Sequence, residues 1–229
     1  MASRPIFVPL AGRQVGEGLM GKGPLYEALP LDISWHPGFA VSQKQKNIAA
    51  LHEAAKDRGI HPVLEISTKS TQEVGRRLSA FNLKVQAYGT MKCLESVYQS
   101  SKVFSISGQH EFLMDLDPFE TKRKIRSLGE GNIIGFRFEG TDFASEPKNA
   151  FYDWLYLRAI APHEDWIRRN LNYAAYSDIE FTPSKSLNCQ ARAVAEFHAL
   201  SMRGLALECA KDFEKFQRLL ALAQREDDL

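Results

Sequence analysis

What most constrains this chain is the order of its periodic segments. Helix-period stretches outnumber strand-period ones, and the two kinds do not alternate as βαβ units require. Residues 31–35 alternate like a short strand. Ser42 is placed to cap a helix through 58, with Ile48, Leu51, Ala54 and Ala55 on one face and Gly59 as its stop. The stretch 62–67 (PVLEIS) alternates as a half-buried strand, and Thr71 opens a short helix holding Val74 and Leu78. A turn-like segment at 79–83 leads into a strand at 84–87. Further helices are predicted over 92–104, 122–128, 147–160 (entered on Pro147), 164–172, 188–202 and 205–225, with strands over 133–138 and 178–181. In the last helix Leu205, Cys209, Phe213, Phe216, Leu220 and Ala223 recur at helical spacing, the pattern of a packing element. The sum is a helix-rich α+β fold, and 229 residues suit one large domain, with or without an extension, better than two independent folds.

Charge and residue usage then exclude several classes of function. With 29 basic and 28 acidic residues the formal charge is +1, so no global positive field holds nucleic acid by phosphate attraction alone. The basic run Lys122-Arg123-Lys124 with Arg126 could still touch phosphates, although such runs are usually solvated faces. Cys93, Cys189 and Cys209 lie far apart without a CxxC pair, which suggests neither a zinc ribbon nor a disulfide framework. No apolar run approaches the roughly 20 residues of a membrane span, and the start lacks a basic region followed by an apolar core, so a reducing cytoplasm is the expected compartment. The histidines show no metal-ligand spacing, and no GxSxG elbow is present. Gly12, Gly16, Gly18, Gly21 and Gly23 form neither a GK[ST] nor a GxGxxG loop; they read as a flexible approach that could close over a pocket.

Three stretches could carry chemistry. In the helix predicted over 92–104, Glu95, Tyr98, Gln99 and Lys102 fall at i, i+3, i+4 and i+7 and share one face. Spacing alone favours a solvated face, yet a solvated face rarely needs a tyrosine between its charges. A carboxylate, a phenol, an amide and an ammonium together offer a base, an aromatic wall, a hydrogen-bonding amide and a cation for phosphate. In the second stretch, Tyr152, Asp153, Trp154, Tyr156 and Arg158, the tyrosines read as core; Asp153 and Trp154 could be core or face a ligand. The third runs from Asp178 and Glu180 through Lys185, Asn188 and Gln190 to Arg192, where a helix start offers free amides for an anion or simply an N-cap at Asn188.

LSAFNL at 78–83, followed by LESVYQSSKVF at 94–104, resembles the NADAR family, in which an LSNF-like turn precedes a helix of the form SEHYFQAQKF. The Glu, Tyr, Gln, Lys and Phe positions match in register; Leu94, Val97 and Ala80 depart from the pattern. FYDWLYLRA, SDIEFTPSKSLNCQARA and LEISTKS look like the branch associated with DarT toxins, so the likeness spans nearly the whole chain. The resemblance implies a metal- and cofactor-independent N-glycosidase that removes ADP-ribose from guanine bases of DNA, an antitoxin to a DarT-type ADP-ribosyltransferase. Relatives that act on ribosylated riboflavin-pathway intermediates supply an alternative, as does an antitoxin that only binds the toxin.

By the same resemblance Glu95 takes the catalytic role and Asp178 matches the later acidic position. Lys69, Lys102, Lys185, Asn188 and Gln190 are candidates for the pyrophosphate, and Phe81, Tyr98 and Trp154 for base stacking. Ser79, Asn82, Gln99 and Asp153 complete the expected substrate-binding set. Residues 1–70 read as an N-terminal extension packed on a NADAR-like catalytic core at 71–229.

Overall fold

The computed structural model describes residues 1–12, 23–170, 172–184 and 186–226, the side chains of 168, 170 and 222–226 aside. In chain order it forms β1 (Ala2–Pro9), β2 (Tyr26–Ile33), α1 (Val41–Lys56), β3 (Val63–Glu65), α2 (Glu73–Arg77), β4 (Lys84–Ala87) and β5 (Thr90–Cys93). Then follow α3 (Leu94–Ser100), β6 (Lys102–Phe104), β7 (Gly108–Gln109), α4 (Pro118–Leu128), β8 (Ile133–Phe138), β9 (Thr141–Ala144) and α5 (Ala150–Ile160). The chain closes with α6 (Glu164–Asn170), β10 (Ala175–Ser177), α7 (Gln190–Met202), α8 (Ala206–Lys211) and α9 (Phe213–Glu226).

A mixed sheet in the order β2-β1-β10-β3 separates two cores. Strand periodicity sends alternate side chains to opposite faces. Ile6, Val63 and Ala175 therefore meet Ile48, Leu51 and Ala55 of α1, while Phe7, Leu64 and Tyr176 enter the larger core with α5 and α7. β1 and β3, both from residues 1–70, flank β10 on its two sides. The architecture is α+β, with an antiparallel sheet β7-β6-β8-β9 and a separate β4-β5 hairpin beside the helices. The two hairpin turns, Tyr88-Gly89 and Glu139-Gly140, have φ of 50°, 78°, 49° and 76°, the positive pairs that suit the twist of tight hairpins. They are tied together: Tyr88 N–H donates to Glu139 Oε1 and Glu139 N–H to the Tyr88 hydroxyl, each at 2.9 Å.

Every α5 side chain but Arg158 is buried, as expected of a helix that is apolar on nearly all sides. Its Phe151 stacks on Phe136 of β8 at 4.5 Å, and Trp154 meets Phe213 of α9 edge-on at 5.4 Å. Among the described residues no helix is long and apolar enough to cross a membrane.

Several predicted boundaries move, each for a long-range reason. The helix expected over 92–104 is only α3, with strands on both sides, because Val103 pairs with Gly135 and Phe104 with Ile133 of β8. The strand expected over 178–181 ends at Ser177; Asp178 Oδ1 instead accepts from Glu180 N–H at 3.1 Å and turns the chain out of the ladder. The last helix breaks at Asp212, whose side chain accepts from Lys215 N–H at 2.9 Å and caps α9. Neither Ser42, Pro147 nor Asn188 opens its helix: α1 starts at Val41, α5 at Ala150 and α7 at Gln190.

Candidate active site

A cleft of about 540 Å³ is lined by side chains from α3, α4, β6 and the segment between β10 and α7. That volume is in the range of small-molecule sites. Its floor is α3, seven residues long and buried throughout, so this is not a solvated helix face. No side chain caps α3. Leu83 and Ala80 of the preceding turn accept instead from Leu94 N–H at 3.0 Å and Glu95 N–H at 3.1 Å, while Leu94 and Val97 anchor the helix in the larger core. The turn and the helix that carry the matching motif are thereby one structural unit.

Glu95 is 5% exposed and lines the cleft. Lys102 Nζ donates to Gln99 Oε1 at 2.6 Å, and Gln99 Nε2 donates to Glu95 Oε1 at 2.9 Å. Lys122 of α4 brings a second ammonium to 3.5 Å from the same oxygen. These contacts all fall on Oε1, so among the described residues Oε2 is left for solvent or substrate. Although Lys102 belongs to a strand rather than to the helix, its ammonium lies 4.9 Å over the Tyr98 ring. Burial pushes the Lys102 amine down to about 8; Lys122 and Arg126 act the same way and Glu95 opposes them. Burial likewise raises the Tyr98 hydroxyl above the usual phenol range, against a hydrogen bond with Asn188. The Asn188 Oδ1 is buried and has no partner among the described residues.

Asp178 also lines this cleft. Its Oδ2 accepts from the Gln190 N–H and Nε2, both at 3.3 Å. Gln190 Oε1 in turn accepts from Ala80 N–H at 2.7 Å and Ser79 Oγ at 3.0 Å. One amide therefore ties Asp178 to the 79–83 turn that seats Glu95. Burial raises the Asp178 carboxyl to about 6; the Gln190 and Glu180 hydrogen bonds oppose this and the Glu180 charge adds to it. Behind it Glu65 accepts from Ser177 Oγ at 2.6 Å and Ile179 N–H at 2.9 Å, holding the backbone on either side of Asp178. Glu65 is raised to about 8, first by burial and then by the Asp178 charge. His52 Nε2 lies 2.9 Å from Ser177 Oγ, and burial lowers this imidazole to about 4.

The cleft brings together Glu95, Asp178, Phe81, Tyr98, Gln99, Lys102, Asn188 and Gln190 of the expected set. Ser79 is buried behind the wall and serves Gln190. Lys69 donates to Thr68 Oγ1 at 2.8 Å, away from the lining side chains. Asn82 donates to Arg76 O at 2.8 Å and lines a separate groove with Leu83 and Trp166. Neither Asp153 nor Trp154 of the expected set lines the cleft. Asp153 is clamped by Arg192 at 2.9 and 3.1 Å beside the buried Glu196, and Trp154 sits in the aromatic cluster of α5. The reason is the all-round burial of α5, which turns a polar–aromatic pattern inward. Lys185, Gly16, Gly18 and Gly21 lie outside the described residues.

Lys122, Arg126, Tyr152 and Glu180 also line the cleft, and Glu65 supports it. Lys122 and Arg126 were visible as part of a basic run, but nothing local turns that run inward. Glu65 carried a signal: a carboxylate inside the short alternating segment PVLEIS. Among the described residues no three His, Cys, Asp or Glu side chains gather as metal ligands do.

The family model described as NADAR-DarT1, DarT1-associated NADAR antitoxin, matches residues 2–228. No curated protein matches the chain.

Proposed function

The chain belongs to the DarT1-associated NADAR antitoxin family, and from that premise we propose that it is an N-glycosidase that removes ADP-ribose from guanine bases of DNA, undoing the modification made by a DarT1-type toxin. One observation carries the reading. Two carboxylates, Glu95 and Asp178, share one cleft with the cations Lys102, Lys122 and Arg126 and the rings of Phe81, Tyr98 and Tyr152. The cations match a pyrophosphate and the rings a purine.

Hydrolysis breaks the bond between the ribose anomeric carbon and the base nitrogen. Water supplies the oxygen that replaces it, and the base nitrogen gains a proton. Positive charge grows on the ribose ring in the transition state, and an anion beside it lowers the barrier. Glu95 Oε2 is the oxygen free to do this, or to take the proton of the attacking water. The Lys102–Gln99–Glu95 chain and Lys122 hold the carboxylate in place by its other oxygen. Asp178, raised to about 6, exchanges a proton close to neutral pH and suits transfer to or from the leaving base.

The test is ADP-ribose release from a guanosine-ADP-ribosylated oligonucleotide by wild type and Glu95→Gln. We expect release by wild type and a loss of at least ~100-fold in the folded variant. Equal release would move the catalytic role elsewhere. Rescue of toxin-expressing cells by a variant that releases nothing would favour neutralisation by binding, and turnover of only a ribosylated riboflavin-pathway intermediate would change the substrate.

A further inference from the structure

The same wall of the cleft continues outward along α4. Phe119, Lys122, Arg123 and Arg126 stand at i, i+3, i+4 and i+7 of this helix, so they form one stripe about 10 Å long. Lys122 and Arg126 line the cleft; Phe119 does not. Phe119 is 63% exposed and belongs to none of the buried cores. Its ring lies on Phe81, a lining residue, at 4.6 Å and 33°, and the Lys122 ammonium sits 5.7 Å from the Phe81 centroid. The two rings therefore step from inside the cleft to its outer edge. Asp117 caps the helix through Phe119 N–H at 2.9 Å, which fixes the backbone of the outer ring. Arg123 and Arg126 are exposed and have no acidic partner among the described residues, whereas Lys124 pairs with Glu120.

We infer that Phe119 is a stacking platform for the base next to the modified nucleotide, with Arg123 beside it for a backbone phosphate, so that the site takes a single-stranded polynucleotide in preference to a free nucleotide. The inference rests on the hydrolase reading above and names its substrate class. An exposed ring outside the cores adds little to folding, but stacking on a base is favourable whatever the base. A free nucleotide ends inside the cleft and leaves this ring uncovered. Open cations in line with the ring supply what the backbone phosphates of a strand need. A single strand is favoured over a duplex, because a base within a stack presents neither its face to Phe119 nor its glycosidic bond to the cleft.

The experiment compares three ADP-ribosylated guanosine substrates: the nucleoside, a five-base single strand, and the same strand with abasic neighbours. Wild type, Phe119→Ala and Phe119→Trp are each assayed for kcat/KM. The preference of wild type for the strand over the nucleoside should fall about ten-fold in Phe119→Ala, persist in Phe119→Trp and vanish with abasic neighbours. Equal rates on intact and abasic-flanked strands by wild type, or an unchanged preference in Phe119→Ala, would overturn the inference. Fluorescence anisotropy with an unmodified five-base strand gives a reading independent of hydrolysis. Binding weaker by about ten-fold in Phe119→Ala supports the platform even if no substrate is turned over, and equal binding refutes it.

Discussion

Replacing Glu65 by Gln should make the protein less sensitive to rising pH without disturbing its fold. Glu65 is fully buried behind Asp178, and its carboxyl is raised from 4.5 to about 8. In the window between those values the folded state keeps a proton that the unfolded chain has released. The native state thus binds more protons, and stability falls as pH rises through the window, by at most about 1.4 kcal/mol per pH unit. Part of the shift comes from the Asp178 charge, which is itself absent below about 6. A difference of roughly 2 kcal/mol between pH 5 and pH 7 is therefore the scale to expect. His52, lowered to about 4, works in the opposite direction below its unfolded value, but it is present in both proteins and cancels in the comparison. Glutamine copies the protonated form: its Oε1 can accept from Ile179 N–H, and its Nε2 can donate to Ser177 Oγ. Thermal melts of both proteins at several pH values provide the assay. At 229 residues each kcal/mol is worth about 2–4 °C. The Tm of Glu65→Gln minus that of wild type should thus grow by roughly 4–8 °C from pH 5 to pH 7. Parallel melting curves across that range would refute the reasoning.

Two further outcomes follow from the same accounting of buried charge. Lys102, lowered to about 8, is charged below that pH and neutral above it, so KM for an ADP-ribosylated substrate should climb as pH passes 8. Lys102→Arg should delay that climb, and a flat KM between pH 7 and 9.5 would exclude Lys102 from anion binding. Arg192→Met leaves Asp153 as an uncompensated buried charge and should cost about 3–5 kcal/mol in urea unfolding. A cost below about 1 kcal/mol would show that the pair does not hold α5 to α7.

Much of the candidate site was legible locally. Glu95, Tyr98 and Gln99 share a helix face at i, i+3 and i+4, and that spacing is a property of any helix. Lys102 reached the same place by another route. Its segment left the helix for a ladder with β8, and its flexible side chain turned back over Tyr98. Helical spacing placed Cys209, Phe216 and Leu220 among packing residues, and they are buried, because apolar spacing reports a buried stripe directly. Asp153 and Trp154 show the limit of such arguments. A polar residue among aromatics reads as a ligand site until a distant Arg192 is found to neutralise it.

The sequence by itself determined most of the helices, the helix-rich α+β class and the carboxylate–phenol–amide face, since these depend on periods and residue types within a few turns of chain. Only the tertiary structure decided that α3 would be buried, that Lys122 and Arg126 would turn into the cleft, and that Glu65, Ser177 and Gln190 would hold Asp178 in the same cleft as Glu95. Those placements rest on contacts between residues up to 114 positions apart, which no local pattern encodes. Burial then sets their charge states by removing water, and removing water is an act of the whole fold.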